Sequence, residues 1–363
     1  MLIVFCYINL VLYIIQPFSW LLMPRELNYI FLVPPLFYIL LQGRWKSINR
    51  RVGVALMILL VGSFLFSKTW EDLYLILGKI FTCGVVSFVA YNFGQKRQFY
   101  LYFFVSVAVF IIGDSLYRYM CFTPRIIDLT VGSWAYKTDC TIPFSDSNAS
   151  GIVIVQALLI FHLMKTFNHV PFFVWLICWS LFTLLAVLTA SKAVVVAVIL
   201  YLFLNLFEKL VTRPSTRVLF FVGFGTLMSL IIHRYVDLDP SFASKLTYFD
   251  NILNVLISDP LSILFGYGYI TGMKVLAGDS EFSHLMPALL LGSIGIIGSI
   301  GYYWLMWFAY GRVSSTFVPI ILINLISLSY FPPFFEYFIF LAFFYAGMAT
   351  YFQRTQRFYK VRS

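Results

Sequence analysis

The chain has 363 residues, of which 61% are hydrophobic, 20% aromatic and 11% charged, with a formal net charge of +10 and a mean hydropathy of +0.90. A soluble globular chain carries roughly 25% charged residues, so this one cannot cover itself with polar surface, and lipid is its expected solvent. The excess of Lys and Arg reads as basic loops holding a membrane protein in place rather than as a nucleic-acid footprint, and no nucleic-acid partner is expected.

A backbone in lipid must satisfy its own hydrogen bonds, which leaves helices or a closed barrel. The apolar runs are continuous and about 15–22 residues long, so helices are expected. The first run lacks a basic leader and a small-residue cleavage site and reads as a retained span. In chain order the pattern predicts twelve spans, near 2–22, 28–42, 52–67, 73–93, 99–116, 149–164, 170–189, 193–207, 218–232, 286–310, 316–331 and 337–352. The expectation is an all-α polytopic integral membrane protein, one transmembrane domain over 1–363. It carries two extended outer loops, 117–148 and 233–285, the second with an amphipathic helix.

Orientation follows from the basic residues. With both termini inside, 15 of the 25 Lys and Arg fall on the inner side and nine outside, and Lys79 lies within a span. Of the 15 acids only Glu208 falls inside. Both long loops are therefore expected outside the cytoplasm. Cys6, Cys83 and Cys178 sit in apolar runs, where a thiol acts as a small hydrophobe. Cys121 and Cys140 share the first outer loop, an oxidising location in this topology, and are expected to form a disulfide. No Cys/His spacing suggests zinc, and no metal or cofactor is expected.

The richest stretch for chemistry is His233–Gly298. Asp239-Pro240-Ser241 is a helix start. Phe242, Leu246, Phe249, Leu253, Leu256 and Ile257 then recur at helical spacing, describing a helix that lies along the membrane surface or packs against the bundle. Asp237-Leu238-Asp239 has a metal-binding D-x-D spacing, but helix capping accounts for it. Gly266-Tyr267-Gly268 permits a tight turn. His284 follows Asp279, Ser280, Glu281 and Ser283 at the mouth of a helix carrying Gly292, Gly295, Gly298 and Gly301, spaced for close helix approach. Asp146-Ser147-Asn148 precedes another span as a helix cap, and Tyr267 lies in the glycine turn. Trp134, Tyr136 and Tyr269 are further interfacial aromatics, and Lys79 is a lone charge within a span.

His284, Gly295 and Gly298 match the spacing of a motif in the O-antigen polymerase and O-antigen ligase superfamily of bacterial envelope enzymes, which this chain resembles. Leu285 departs from the ligase form of the motif, so the resemblance leans to polymerase. Thr189-Ala190-Ser191-Lys192 is similar to the family's Thr-x-Ser-Arg turn, with Lys for Arg. Lys245, followed by Gly266 and Gly268, is similar to its second cation and Gly-x-Gly, with Arg234 an alternative for that cation. The resemblance covers topology over most of the chain and motifs from 189 to 301.

It implies a glycosyltransferase of the bacterial inner membrane, with both termini cytoplasmic and the site periplasmic. The expected substrates are undecaprenyl-pyrophosphate-linked glycans, and the expected partners a chain-length regulator, a flippase and the lipid bilayer. His284 is the expected catalytic base, with Glu281 and Asp279 as alternatives. Lys192, Lys245 and Arg234 are the expected pyrophosphate-binding cations, and Asp146, Asn148 and Tyr267 secondary candidates for contact with the sugars. Ligation to lipid A-core, or export of the same lipid-linked sugars, are the rival readings. An exporter should show internal repeats and midplane charges, and no repeat is evident.

Overall fold

The computed structural model describes residues 33, 37, 69–125, 147–167, 170–189, 194, 195, 197–199, 201, 250–255, 257–268, 271, 272, 275, 286–310 and 336–362. Among these residues every regular element is helical, and no strand occurs. The chain is all-α in this part. Seven helices are used below: α1 (Trp70–Gly94), α2 (Arg97–Arg125), α3 (Ser147–Thr166), α4 (Phe172–Leu188), α5 (Pro260–Phe265), α6 (Met286–Tyr310) and α7 (Glu336–Arg362).

Five of the six long helices cover the apolar runs expected near 73–93, 99–116, 149–164, 170–189 and 286–310, and α7 covers 337–352. Two outlast those runs. α2 continues beyond 116 to Arg125, and α7 carries the basic tail in helical form to Arg362. Hydropathy ends where lipid-compatible residues end, whereas a helix continues as long as its backbone ladder does. One described stretch, Leu289–Trp307 in α6, is by itself both long and apolar enough to cross a membrane.

The two faces of α2 differ sharply. Leu101, Val105, Val109, Ile112 and Leu116 recur at spacings of three or four residues and are exposed. Val107, Ile111, Asp114, Ser115 and Arg118 lie on the opposite, buried face. Charge turned inward and aliphatic side chains turned outward is the reverse of the usual water-facing helix. α4 likewise exposes Phe173, Ile177, Leu181 and Leu184 while burying Trp175, Phe182, Leu185 and Ala186.

α1 and α7 share the most extensive helix contact in the described structure. Their crossing is glycine on glycine. A Cβ at Gly94 would lie 2.9 Å from the Met348 backbone nitrogen and 3.0 Å from Gly347 Cα. Without a hydrophobic drive between helices in lipid, such backbone approach supplies dispersion contact that larger residues would prevent. Beside the crossing, the Tyr91 and Thr350 hydroxyls are 3.3 Å apart, and Arg354 donates to Gln95 at 3.1 Å. Gln356 donates to the Phe167 carbonyl at 2.8 Å, tying α7 to the end of α3.

Candidate functional site

The segment that leads towards α6 is built from a cap, a turn and two glycines. Asp259 has non-helical backbone, φ −144° and ψ 72°, and caps α5, its carboxylate accepting from the Ser262 amide at 3.2 Å, with Pro260 at the first helical position. This is the ordinary chemistry of a helix start. The same carboxylate accepts from the Ser262 hydroxyl at 2.5 Å and from the Tyr267 hydroxyl at 3.3 Å. α5 ends after a turn and a half, where the Gly266 amide donates to the Ser262 carbonyl at 2.6 Å. Gly266 and Gly268 then take φ of 87° and 94°, conformations open to glycine at no steric cost.

α6 is interrupted opposite this turn. Gly295 has φ 66° and ψ −173° inside an otherwise helical run. A break in the ladder frees carbonyls, and the turn uses them. The Tyr267 amide donates to the Gly292 carbonyl at 2.6 Å, and the Gly268 amide to the Ser293 carbonyl at 3.2 Å. No side chain separates the two backbones. A Cβ on Gly266 would meet the Ser293 carbonyl oxygen at 2.5 Å, and one on Gly295 would meet the Gly266 nitrogen at 2.5 Å. Gly272 and Gly292 also approach backbone to backbone. The Gly-x-Gly turn and two of the glycines that follow His284 in sequence, Gly292 and Gly295, are thus one joint, whereas a Cβ on Gly298 would first meet the Ile294 side chain of its own helix. Its polar atoms are largely used on each other, so it is scaffold rather than reactive chemistry. Ser293, 2% exposed, keeps its hydroxyl there without a hydrogen-bond partner.

A second polar feature lies between α2 and α3. Arg118 is fully buried and its Nε donates to Asp114 Oδ2 at 2.7 Å, while its Nη2 donates to Ser150 Oγ at 3.1 Å. Arg118 is 21 residues beyond Arg97, or about 31 Å along the helix. That distance matches the roughly 30 Å thickness of a bilayer core. Sequence reasoning placed Arg118 in the first outer loop and left Asp114 unassigned. The usable signal was the i, i+4 acid–base spacing across the end of the apolar run.

The sequence-predicted site is only partly within view. His284, Glu281, Asp279, Lys192, Lys245, Arg234, Asp146 and Cys140 lie outside the described residues, as do Trp134, Tyr136 and Tyr269. Asn148 is in the first turn of α3, Cys121 near the end of α2 and Lys79 in α1, each placed by backbone alone. Tyr267 is 6% exposed, with its hydroxyl on Asp259, which makes its ring part of the joint's interior rather than an open platform for a sugar. Thr189 closes α4. It is buried, and its hydroxyl donates to the Ala186 carbonyl at 2.7 Å; the residues after it, Ala190-Ser191-Lys192, lie outside the described residues.

Of the amphipathic helix, residues 250–255 and 257–258 are described and helical, with Leu253 and Ile257 exposed. Among the described residues no group of three or more His, Cys, Asp or Glu side chains could hold a metal ion. No protein-family model matches the chain, no curated protein matches it in sequence, and no solved structure matches it in fold.

Proposed function

We propose that the protein is a polytopic inner-membrane glycosyltransferase of about twelve transmembrane helices. It joins undecaprenyl-pyrophosphate-linked repeat units into O-antigen or a similar surface polysaccharide on the periplasmic face. A sugar hydroxyl of the acceptor attacks the anomeric carbon of the donor, the glycosidic bond forms, and lipid pyrophosphate leaves. His284 takes the hydroxyl proton, because an imidazole titrates near neutrality. Lys192, Lys245 and Arg234 stabilise the charge on the departing pyrophosphate. Glu281 and Asp279 flank the base.

The observation that carries this reading is the glycine joint. Gly266 and Gly268 follow Lys245 in sequence, and Gly295 follows His284. Their docking ties the arm bearing a candidate cation to the arm bearing the candidate base, as one site built from both would need. The inside-out faces of α2 support the membrane setting. An export path would use the buried Asp114–Arg118 pair as a midplane relay, but its distance from Arg97 fits an outer boundary better.

Deletion of the gene in its native host is the deciding test. Loss of long polymer with single-repeat caps retained is the expected outcome. Loss of all sugar beyond the core would instead mean ligation or export.

A further inference from the structure

We infer that residues 259–268 re-enter the membrane from the outer side, so that the helical stretch leading to them presents its apolar side chains to the acyl chains of the outer leaflet. The inference rests on the orientation proposed above, in which α6 starts at the outer surface. Gly292 and Gly295 lie three and six residues inside the apolar stretch Leu289–Trp307. At 1.5 Å per residue the joint is therefore about 5–9 Å below the start of that stretch. The Gly266–Gly268 turn is hydrogen-bonded to this level of α6 and is itself buried, so it must descend to the same depth.

Two further observations agree. Non-helical backbone survives at membrane depth only where the protein satisfies its polar groups. The amides of Gly266, Tyr267 and Gly268 all donate to protein carbonyls, and the nearby hydroxyls of Ser262 and Tyr267 both donate to Asp259. A loop in water would need none of this. The exposed side chains also grade along the chain. Asp250 and Asn254 are exposed early, and the Ser258 hydroxyl is returned to the Asn254 carbonyl at 2.8 Å. From there on, Leu261 and Leu264 carry the exposure, continuing from Leu253 and Ile257. Polar exposure that gives way to apolar exposure in the direction of the joint is the profile of a segment entering lipid.

The test is cysteine labelling in the full-length protein with its five native cysteines replaced, in spheroplasts, with a membrane-impermeant maleimide. Asp250→Cys should label from outside. Leu261→Cys and Leu264→Cys should not label until detergent is added. Equal labelling of all three in intact membranes would overturn the re-entrant segment while leaving the proposed function standing. Leu261→Cys and Leu264→Cys that stay unlabelled in detergent would mean a protein cover, and would overturn the lipid contact. Asp250→Cys unreactive from outside would overturn the orientation and the periplasmic reading with it. Should the cysteine-free background fail to insert, peptide mass spectrometry of the same variants with native cysteines retained reads the same three positions.

Discussion

Gly295→Ala is the substitution that addresses the joint most directly. Gly295 has φ 66° and ψ −173°, a region essentially reserved for glycine, and an L-residue held there costs about 1–3 kcal/mol. The added Cβ would also sit 2.5 Å from the Gly266 nitrogen and 2.5 Å from the Leu264 carbonyl carbon. Both are backbone atoms, so no rotamer change relieves the clash and the turn must move away. Moving it breaks the Tyr267–Gly292 and Gly268–Ser293 bonds, each leaving a buried group unsatisfied at about 1–3 kcal/mol. The total is about 3–9 kcal/mol, a large share of the 5–15 kcal/mol that typically separates folded from unfolded. The control is Gly113→Ala in α2, where a Cβ meets nothing within 4 Å. Ala there should be neutral or stabilise by up to about 1 kcal/mol. Thermal unfolding in nanodiscs, with amide exchange across 259–268, compares the two. A Gly295→Ala protein that melts with Gly113→Ala and keeps its amide protection would refute the reasoning.

Arg118→Ala strands the Asp114 carboxylate in a buried site and should destabilise by about 3–5 kcal/mol, whereas the double replacement of Arg118 and Asp114 by Leu should recover most of that loss; thermal melts of both variants decide it. Ser293→Ala removes a buried hydroxyl without a hydrogen-bond partner and should be neutral or stabilising by up to about 1–3 kcal/mol, the opposite sign to its glycine neighbours. His284→Ala should lower polymer formation by about 10²–10⁴-fold with normal membrane insertion, and unchanged chain length on a gel would remove His284 from the chemistry. Cys121 and Cys140 should resist thiol reagent in intact cells until reduced, and immediate labelling would exclude the bridge.

Particular residues show what was legible beforehand. The long helices were readable because each covers a long, continuous apolar run, a length that a strand rarely reaches. The edges were less so. Arg118 reads as a loop cation from hydropathy alone, and only its pairing with Asp114 on a neighbouring turn and Ser150 on another helix turns it inward. Asp259-Pro260 carries the same start signal as Asp239-Pro240, yet it caps a helix of one and a half turns, because length is set by where glycine stops the ladder. The glycines at 266, 268 and 295 could be recognised as special, and each admits a turn on its own. That they are special for one another is a long-range fact, invisible to local spacing, since it depends on which backbone approaches which. Tyr267 could be read as an interfacial aromatic, but its hydroxyl's route to Asp259 exists only once the turn has folded.

The charge distribution supplies a last step. Four basic residues from three parts of the chain lie towards one end of the described structure. Lys96 and Arg97 occupy the tight connection from α1 to α2. Arg354 of α7 bonds to Gln95 beside them. Gln356, half a turn on, bonds to the end of α3, where the Lys165 ammonium sits 3.3 Å over the Trp175 ring at the start of α4. From this end α2 runs out to Arg118 and meets α3 at Ser150, and α3 runs back to Lys165, so the two helices span between a basic end and the roots of the 126–146 connection. The sequence assigned Lys96, Arg97, Lys165 and Arg354 to the cytoplasmic side separately, from loop counting alone. Had one of them emerged among Arg118 and Ser150, no single orientation would have satisfied the set. Their convergence is what a single orientation of α1, α2, α3 and α7 would require, with one basic end on the cytoplasmic side.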